Sequence, residues 1–205
     1  MRFAMTYTGD KERRSKPGSK ATKIIWIYFW VVAAFSGGGF ITWQYVHFEA
    51  PSLTGTFAGW PKDDARHWSP LVALSSLFFM IVLALATRMP VAWAQAAEGD
   101  KGYDMSYPAQ QQGRLRGWGV RADRAHKNTV EGLLFFGIAV LSALQVPGVH
   151  MPHVVRLCEM YAVSRVVFWV CYLLDFAYAR SFVFIVGLCA VMTLYAQAAL
   201  ALQNL

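Results

Sequence analysis

The sequence predicts an all-α integral membrane protein, a bundle of four or five transmembrane helices with no soluble domain of ordinary size. Three observations carry that expectation. The chain of 205 residues is 56% hydrophobic and only 15% charged, with a positive mean hydropathy, a balance foreign to soluble globular domains. Its apolar residues gather into runs close to the ~20 that cross a bilayer as a helix. Its basic residues crowd some of the connections between those runs and avoid others.

The elements follow in order. Residues 1–23 are a basic tail, and 24–47 form a first span that starts too far from the N-terminus and runs too long for a cleaved leader, so it is expected to stay attached. Gly37, Gly38 and Gly39 in its middle either admit a second backbone or weaken the helix, and close packing is the reading preferred. The connection 48–69, with Phe48, Phe57, Trp60 and Trp68 and with Pro51, Pro61 and Pro70, suits a segment lying in the headgroup zone. Residues 70–205 then hold four further spans, near 70–93, 128–146, 154–175 and 181–203. The stretch from Gly99 to Gly119, with Pro108 and three successive glutamines, lacks periodicity and reads as a loop.

Charge sets the expected orientation. Arg2, Lys11, Arg13, Arg14, Lys16, Lys20 and Lys23 precede the first span, and Arg88, Lys101, Arg114, Arg116, Arg121, Arg124 and Lys127 surround the connection after the second. The 48–69 connection holds only Lys62 and Arg66, and the turn at 147–153 holds no Lys or Arg. The positive-inside rule places the N-terminus and the 94–124 connection in the cytoplasm and the C-terminus opposite. Topology thus accounts for the net charge of +7, and no nucleic-acid partner is expected. Cys158, Cys171 and Cys189 lie inside spans and read as small apolar packing residues. Compact loops and the absence of a retention signal point to a bacterial cytoplasmic membrane.

Chemistry concentrates where a charged segment runs straight into an apolar span, RADRAHKNTVEGLLFF at Arg121–Phe136. At about 100° per residue, Arg121, Arg124, Asn128, Glu131 and Phe135 fall on one stripe, while His126 points away. Polar side chains at that depth need partners, so the stripe is expected to face the bundle interior. In the next span Tyr161, Arg165, Phe168, Trp169 and Tyr172 share a face, and Arg165 near mid-bilayer is expected to pair with Glu131 on its antiparallel neighbour. Arg180 and Ser181 open the last span, where a helix N-terminus already favours anions. Alternatives stand beside each reading. Arg121 and Arg124 suit membrane anchors as well as ligands, Arg165 with Glu131 suits a structural pair, and Ser181 suits a helix cap.

These residues resemble the MAPEG superfamily of microsomal glutathione transferases, leukotriene synthases and membrane prostaglandin E synthases. The likeness rests on Arg124-Ala125-His126-Lys127-Asn128 followed by Glu131, on Ser164-Arg165-Val166-Val167 leading to Tyr172, and on Arg180-Ser181, and it extends over roughly 70–203. The resemblance implies a four-helix transmembrane bundle, here with one extra N-terminal transmembrane helix, assembled as a homotrimer. It further implies an enzyme using glutathione as co-substrate, without a metal, on lipophilic electrophiles or hydroperoxides drawn from membrane lipid. Residue by residue, Arg124, Lys127, Asn128 and Glu131 are implied to hold glutathione with Tyr172, and Arg88 matches an arginine of the family at the end of its first helix. Arg121 and Arg165 join this binding set, and Arg180 with Ser181 is implied to stabilise the thiolate. Lys127 stands where some enzymes have arginine, Gly132 where the leukotriene synthases have tyrosine, and Phe184 where prostaglandin E synthase has tyrosine. The alternative is a non-catalytic lipid-binding member or an accessory subunit of a larger membrane protein complex, recruited partly through the extra helix. A transporter, the third reading, lacks inverted halves or paired broken helices.

Overall fold

The computed structural model describes residues 17–48, 50–98 and 103–203, with side chains from residue 32 onward. The basic residues Arg2 to Lys16, and Lys101, lie outside the described residues. Every regular element among the described residues is a helix or helical turn. Helix α1 spans Pro17–His47, α2 Leu53–Phe57, a 3-10 turn Ala65–Trp68, α3 Pro70–Ala86, α4 Arg88–Glu98, α5 Pro108–Gln112, α6 Gly117–Gln145, α7 Met151–Leu173 and α8 Ala177–Gln203. Among the described residues, three helical stretches are long and apolar enough to cross a membrane, Pro70–Glu98, Gly117–Gln145 and Ala177–Gln203. The protein is an integral membrane helical bundle.

Helix α7 carries Arg156, Glu159 and Arg165, an expensive set for a helix facing lipid. The fold places it centrally, packed by α1, α3, α6 and α8, with Glu159 and Arg165 both buried. Its apolar neighbours supply the main core, in which Phe136 of α6 stacks on Tyr161 of α7 at 4.2 Å between ring centres.

Helix α1 packs against α8 and α7 along a stripe of small side chains, with Ala34, Gly38, Thr42 and Val46 buried at four-residue intervals. Gly38 is the point of closest approach: a Cβ there would lie 3.6 Å from the Val186 backbone of α8 and 3.3 Å from Ile185. The glycine run therefore serves close helix packing at this one position, with Gly37 against Phe182 and Gly39 open.

The connection 48–69 is folded rather than slack. Glu159 of α7 accepts hydrogen bonds from the Leu53 and Thr54 backbone N–H groups at 2.9 and 2.7 Å, and Ser52 Oγ accepts from Gly55 N at 3.0 Å. The first three orphan donors of the short α2 are thereby satisfied. Arg156, three residues earlier on α7, donates to Val46 O and Ala50 O at 2.8 and 2.9 Å, closing the end of α1. His67 is fully buried between Ser52 Oγ at 3.0 Å and Pro61 O at 2.9 Å. One tautomer, with the proton on Nε2, satisfies both contacts. Gly55 admits no side chain, since a Cβ would fall on the His67 ring. On the outside of the connection, Arg66 holds the Asp64 carboxyl below its usual range. Phe57 is 89% exposed, pointing away from the protein.

Glu159→Ala removes both charge-assisted caps and leaves Arg156 beside α1 alone. It is expected to destabilise this connection by on the order of 3 kcal/mol. Limited proteolysis between 48 and 69 checks it, and cleavage no faster than in the wild type would contradict it.

At the arginine-rich end of the bundle, α6 starts at Gly117, eleven residues before the span expected from hydropathy, so the Gly99–Gly119 stretch is part helix. Buried Gln95 donates to Pro108 O at 2.8 Å, and Glu98 accepts from Arg116 N at 3.0 and 2.9 Å, which ties α4 to the entry of α6.

Candidate functional site

Gly132 organises the polar interior. A Cβ at this position would lie 2.6 Å from both Arg165 Nη2 and Tyr161 Oη. The bare backbone is therefore the seat into which α7 lowers a guanidinium and a phenol. Arg165 donates from Nη1 to Asn128 Oδ1 at 3.0 Å, and its Cζ stands 5.1 to 5.3 Å from the ring centres of Tyr161, Phe168 and Phe184. Aromatic faces thus take over much of the role that water plays for an exposed arginine.

The expected ion pair between Arg165 and Glu131 is not formed; Asn128 is the partner instead. Helical phase explains the difference. Asn128 lies about 40° from Gly132 around α6, whereas Glu131 lies about 100° away, so an arginine seated over Gly132 reaches the amide and not the carboxylate. Glu131 is exposed, on the wall of the same cleft. Removing it should accordingly cost little. Glu131→Ala is expected to change stability by less than about 0.5 kcal/mol, and Asn128→Ala, which strips a buried cation of its hydrogen-bond partner, by roughly 1 to 3 kcal/mol. Unfolding titrations in mixed detergent compare the two, and a larger loss for Glu131→Ala would restore the ion pair.

Two clefts share this polar centre, with Asn128, Phe184 and Leu188 lining both. The first, of about 290 Å³, has Glu131, Gly132, Tyr161 and Arg165 at its polar end and runs along α8 past Met192 to Tyr195. The second, of about 430 Å³, is lined by Tyr172, Arg180 and Ser181 together with Phe168 and Phe35. Arg180 lies in the opening turn of α8, its guanidinium 4.3 Å above the centre of the Tyr172 ring. A cation held by a ring face beside a helix N-terminus gives this cleft a positive focus. The Ser181 hydroxyl turns back on its own helix and donates to Ala177 O at 3.0 Å.

Of the residues expected at the site, Asn128, Glu131, Arg165, Tyr172, Arg180 and Ser181 line these clefts. The others do not. Lys127 pairs with Asp123 at 2.8 Å, a carboxylate that also receives Gln112. Arg121 reaches Asp175 at 3.8 Å, where Asp175 makes the α7 to α8 turn in a left-handed conformation (φ 64°). Arg124 is exposed and has no partner among the described residues, and Arg88 donates to Gln95 at 3.3 Å. His126, on the far side of α6, meets the buried Thr87 at 3.0 Å. Tyr161 and Phe184 prove more central than their sequence positions suggested, and Phe35 lines the second cleft from a helix that sequence reasoning left outside it.

An arginine and a tyrosine buried at the centre of a membrane helical bundle, with a second arginine at the mouth of an adjoining cleft, define a membrane protein with a polar site opening beside apolar walls. The family model of the MAPEG family matches residues 70–200, and the chain belongs to that family. The match begins at the first residue of α3, so α1 and the 48–69 connection lie before it. No curated protein and no solved structure matches the chain.

Proposed function

We propose that the protein is a glutathione transferase or peroxidase that acts as a homotrimer on lipophilic electrophiles or hydroperoxides taken from the bilayer. The observation that carries this reading is the meeting of Arg180, Tyr172 and Asn128 in one cleft. Glutathione supplies a nucleophilic thiol and two carboxylates, and the protein offers a donor set to match. Arg88 Nη1, Arg121 Nε, Arg165 Nε and Tyr161 Oη are buried without partners among the described residues, and buried polar atoms rarely stay unpaired. Arg165 and Asn128 would orient the tripeptide, with Glu131 near its amino group, while Arg88, Arg121, Arg124 and Lys127 would meet its carboxylates at the arginine-rich end.

Arg180 has the chemical role. A free thiol with pKa near 8.5 is mostly protonated at neutral pH, and a guanidinium beside a helix N-terminus favours the thiolate. Ser181, its hydroxyl directed to Ala177 O, would have to rotate to assist. The basic residues at the α4 to α6 end support a cytoplasmic site, with the N-terminus on the same side of a bacterial cytoplasmic membrane. Glutathione titrated into the purified protein in detergent, followed by calorimetry and by thiolate absorbance, tests the reading. Binding with a thiolate signal supports it, and the absence of both in an intact oligomer refutes it. The self-satisfied Ser181 hydroxyl favours a second reading, a non-catalytic lipid-binding member or accessory subunit, for which stoichiometric co-purification of one membrane partner without conjugating activity is the expected result.

A further inference from the structure

The helix that precedes the family match contributes a wall to the site. Phe35 of α1 lines the Arg180 cleft together with Phe168 and Phe184. Packing that follows it in the chain sets its position. Three residues on, Gly38 lies against the Val186 backbone, and a Cβ added at Gly37 would lie 3.5 Å from the Phe182 ring. Arg156 and Glu159 anchor the far end of the same helix and the chain that follows it. With its backbone held by small-residue packing, Phe35 adjusts mainly by side-chain rotation, and it is 44% exposed.

Resting on the transferase reading, we propose that Phe35 is a specificity-determining residue for the second substrate. It limits the Arg180 cleft to compact, single-ring electrophiles and turns fused-ring ones away. Physical reasons support a size filter over a chemical one. The phenyl group offers no donor or acceptor, so it cannot select by polarity. Phe184 lines both this cleft and its neighbour, and Phe35 lines this one, so a ring held near Arg180 meets both side chains as walls. A wider ring system would have to displace one of them. The Phe184 side is backed by Arg165, which lies 5.3 Å from its ring, and this leaves Phe35 as the wall whose removal opens space.

The test uses the full chain in lipid vesicles and two aryl halides of matched leaving group, one with a single ring and one with three fused rings. The ratio of their kcat/KM values in glutathione conjugation is measured. Phe35→Ala is expected to raise the fused-ring to single-ring ratio about tenfold, the lower range for a pocket-sized change, and Phe35→Trp to lower it. Phe40→Ala, on the same helix but 60% exposed and away from the cleft, is expected to leave the ratio unchanged. A ratio indifferent to Phe35, or one that shifts equally in Phe40→Ala, overturns the proposal while leaving the transferase reading intact. Conjugation of neither halide by wild type, together with no glutathione binding, overturns both.

Discussion

Arg180→Ala is expected to slow conjugation by on the order of 10²- to 10³-fold while glutathione affinity stays nearly constant, the result of removing one oriented charge that acts on the reactive form. The geometry separates the two effects. Arg165 and Asn128 are joined across α7 and α6 by a hydrogen bond of 3.0 Å that does not involve Arg180, whereas Arg180 stacks on Tyr172. The pH profile supplies the sign. Without the guanidinium the bound thiol returns toward its free pKa of about 8.5, so the rising limb of kcat against pH should move to higher pH. A residue serving only as a membrane anchor predicts unchanged kinetics with poorer insertion. Turnover and thiolate absorbance measured from neutral to alkaline pH distinguish the cases, and an unshifted profile in a well-folded variant removes Arg180 from the chemistry.

Gly132→Ala should produce a large loss of stability for a single added methyl group at the site. The added carbon meets Arg165 Nη2 and Tyr161 Oη at 2.6 Å, and neither can retreat into solvent because both residues are buried. Overpacking alone costs about 1 to 3 kcal/mol. Forcing the guanidinium off Asn128 adds a share of the roughly 1 to 3 kcal/mol that leaving a buried donor without its partner costs. We expect a total on the order of 4 kcal/mol by detergent unfolding, with loss of glutathione binding. Gly39→Ala is the matched control, because a methyl there meets nothing within 4 Å and alanine is the better helix former by about 1 kcal/mol. Equal stability of the two variants would show that Gly132 is not the seat of Arg165.

Much of the architecture was legible because lipid imposes a simple code. Runs of apolar residues marked α3, α6 and α8, and the Arg124–Glu131 string with Arg165 and Arg180 marked the family later matched over 70–200. Two kinds of information were not legible. Which partner a buried charge takes depends on a few tens of degrees of helical phase and on where a side chain is missing, so Gly132 looked like a departure from a family tyrosine when it is the reason Arg165 fits. Contacts distant in the chain were equally hidden. Arg156 and Glu159 fall within the span expected at 154–175, and only folding shows that they reach back more than 100 positions to Val46, Ala50, Leu53 and Thr54. Phe35 was invisible for the same reason, since nothing in its own helix says which face of the bundle that helix will cover.

The clasp between α7 and the chain around 46–54 also bears on the order in which the molecule can be built. Until Val46 O, Ala50 O and the α2 amides are in place, Arg156 and Glu159 have no backbone partners for their hydrogen bonds, and α7 is a poor candidate to settle in hydrocarbon by itself. Synthesis proceeds from the N-terminus, so the receptors for those two side chains are already waiting when α7 emerges. Residues 70–200 are therefore a unit of kinship but not a unit of assembly: cut away from the preceding helix, they would have to insert a segment whose counterparts had been left behind.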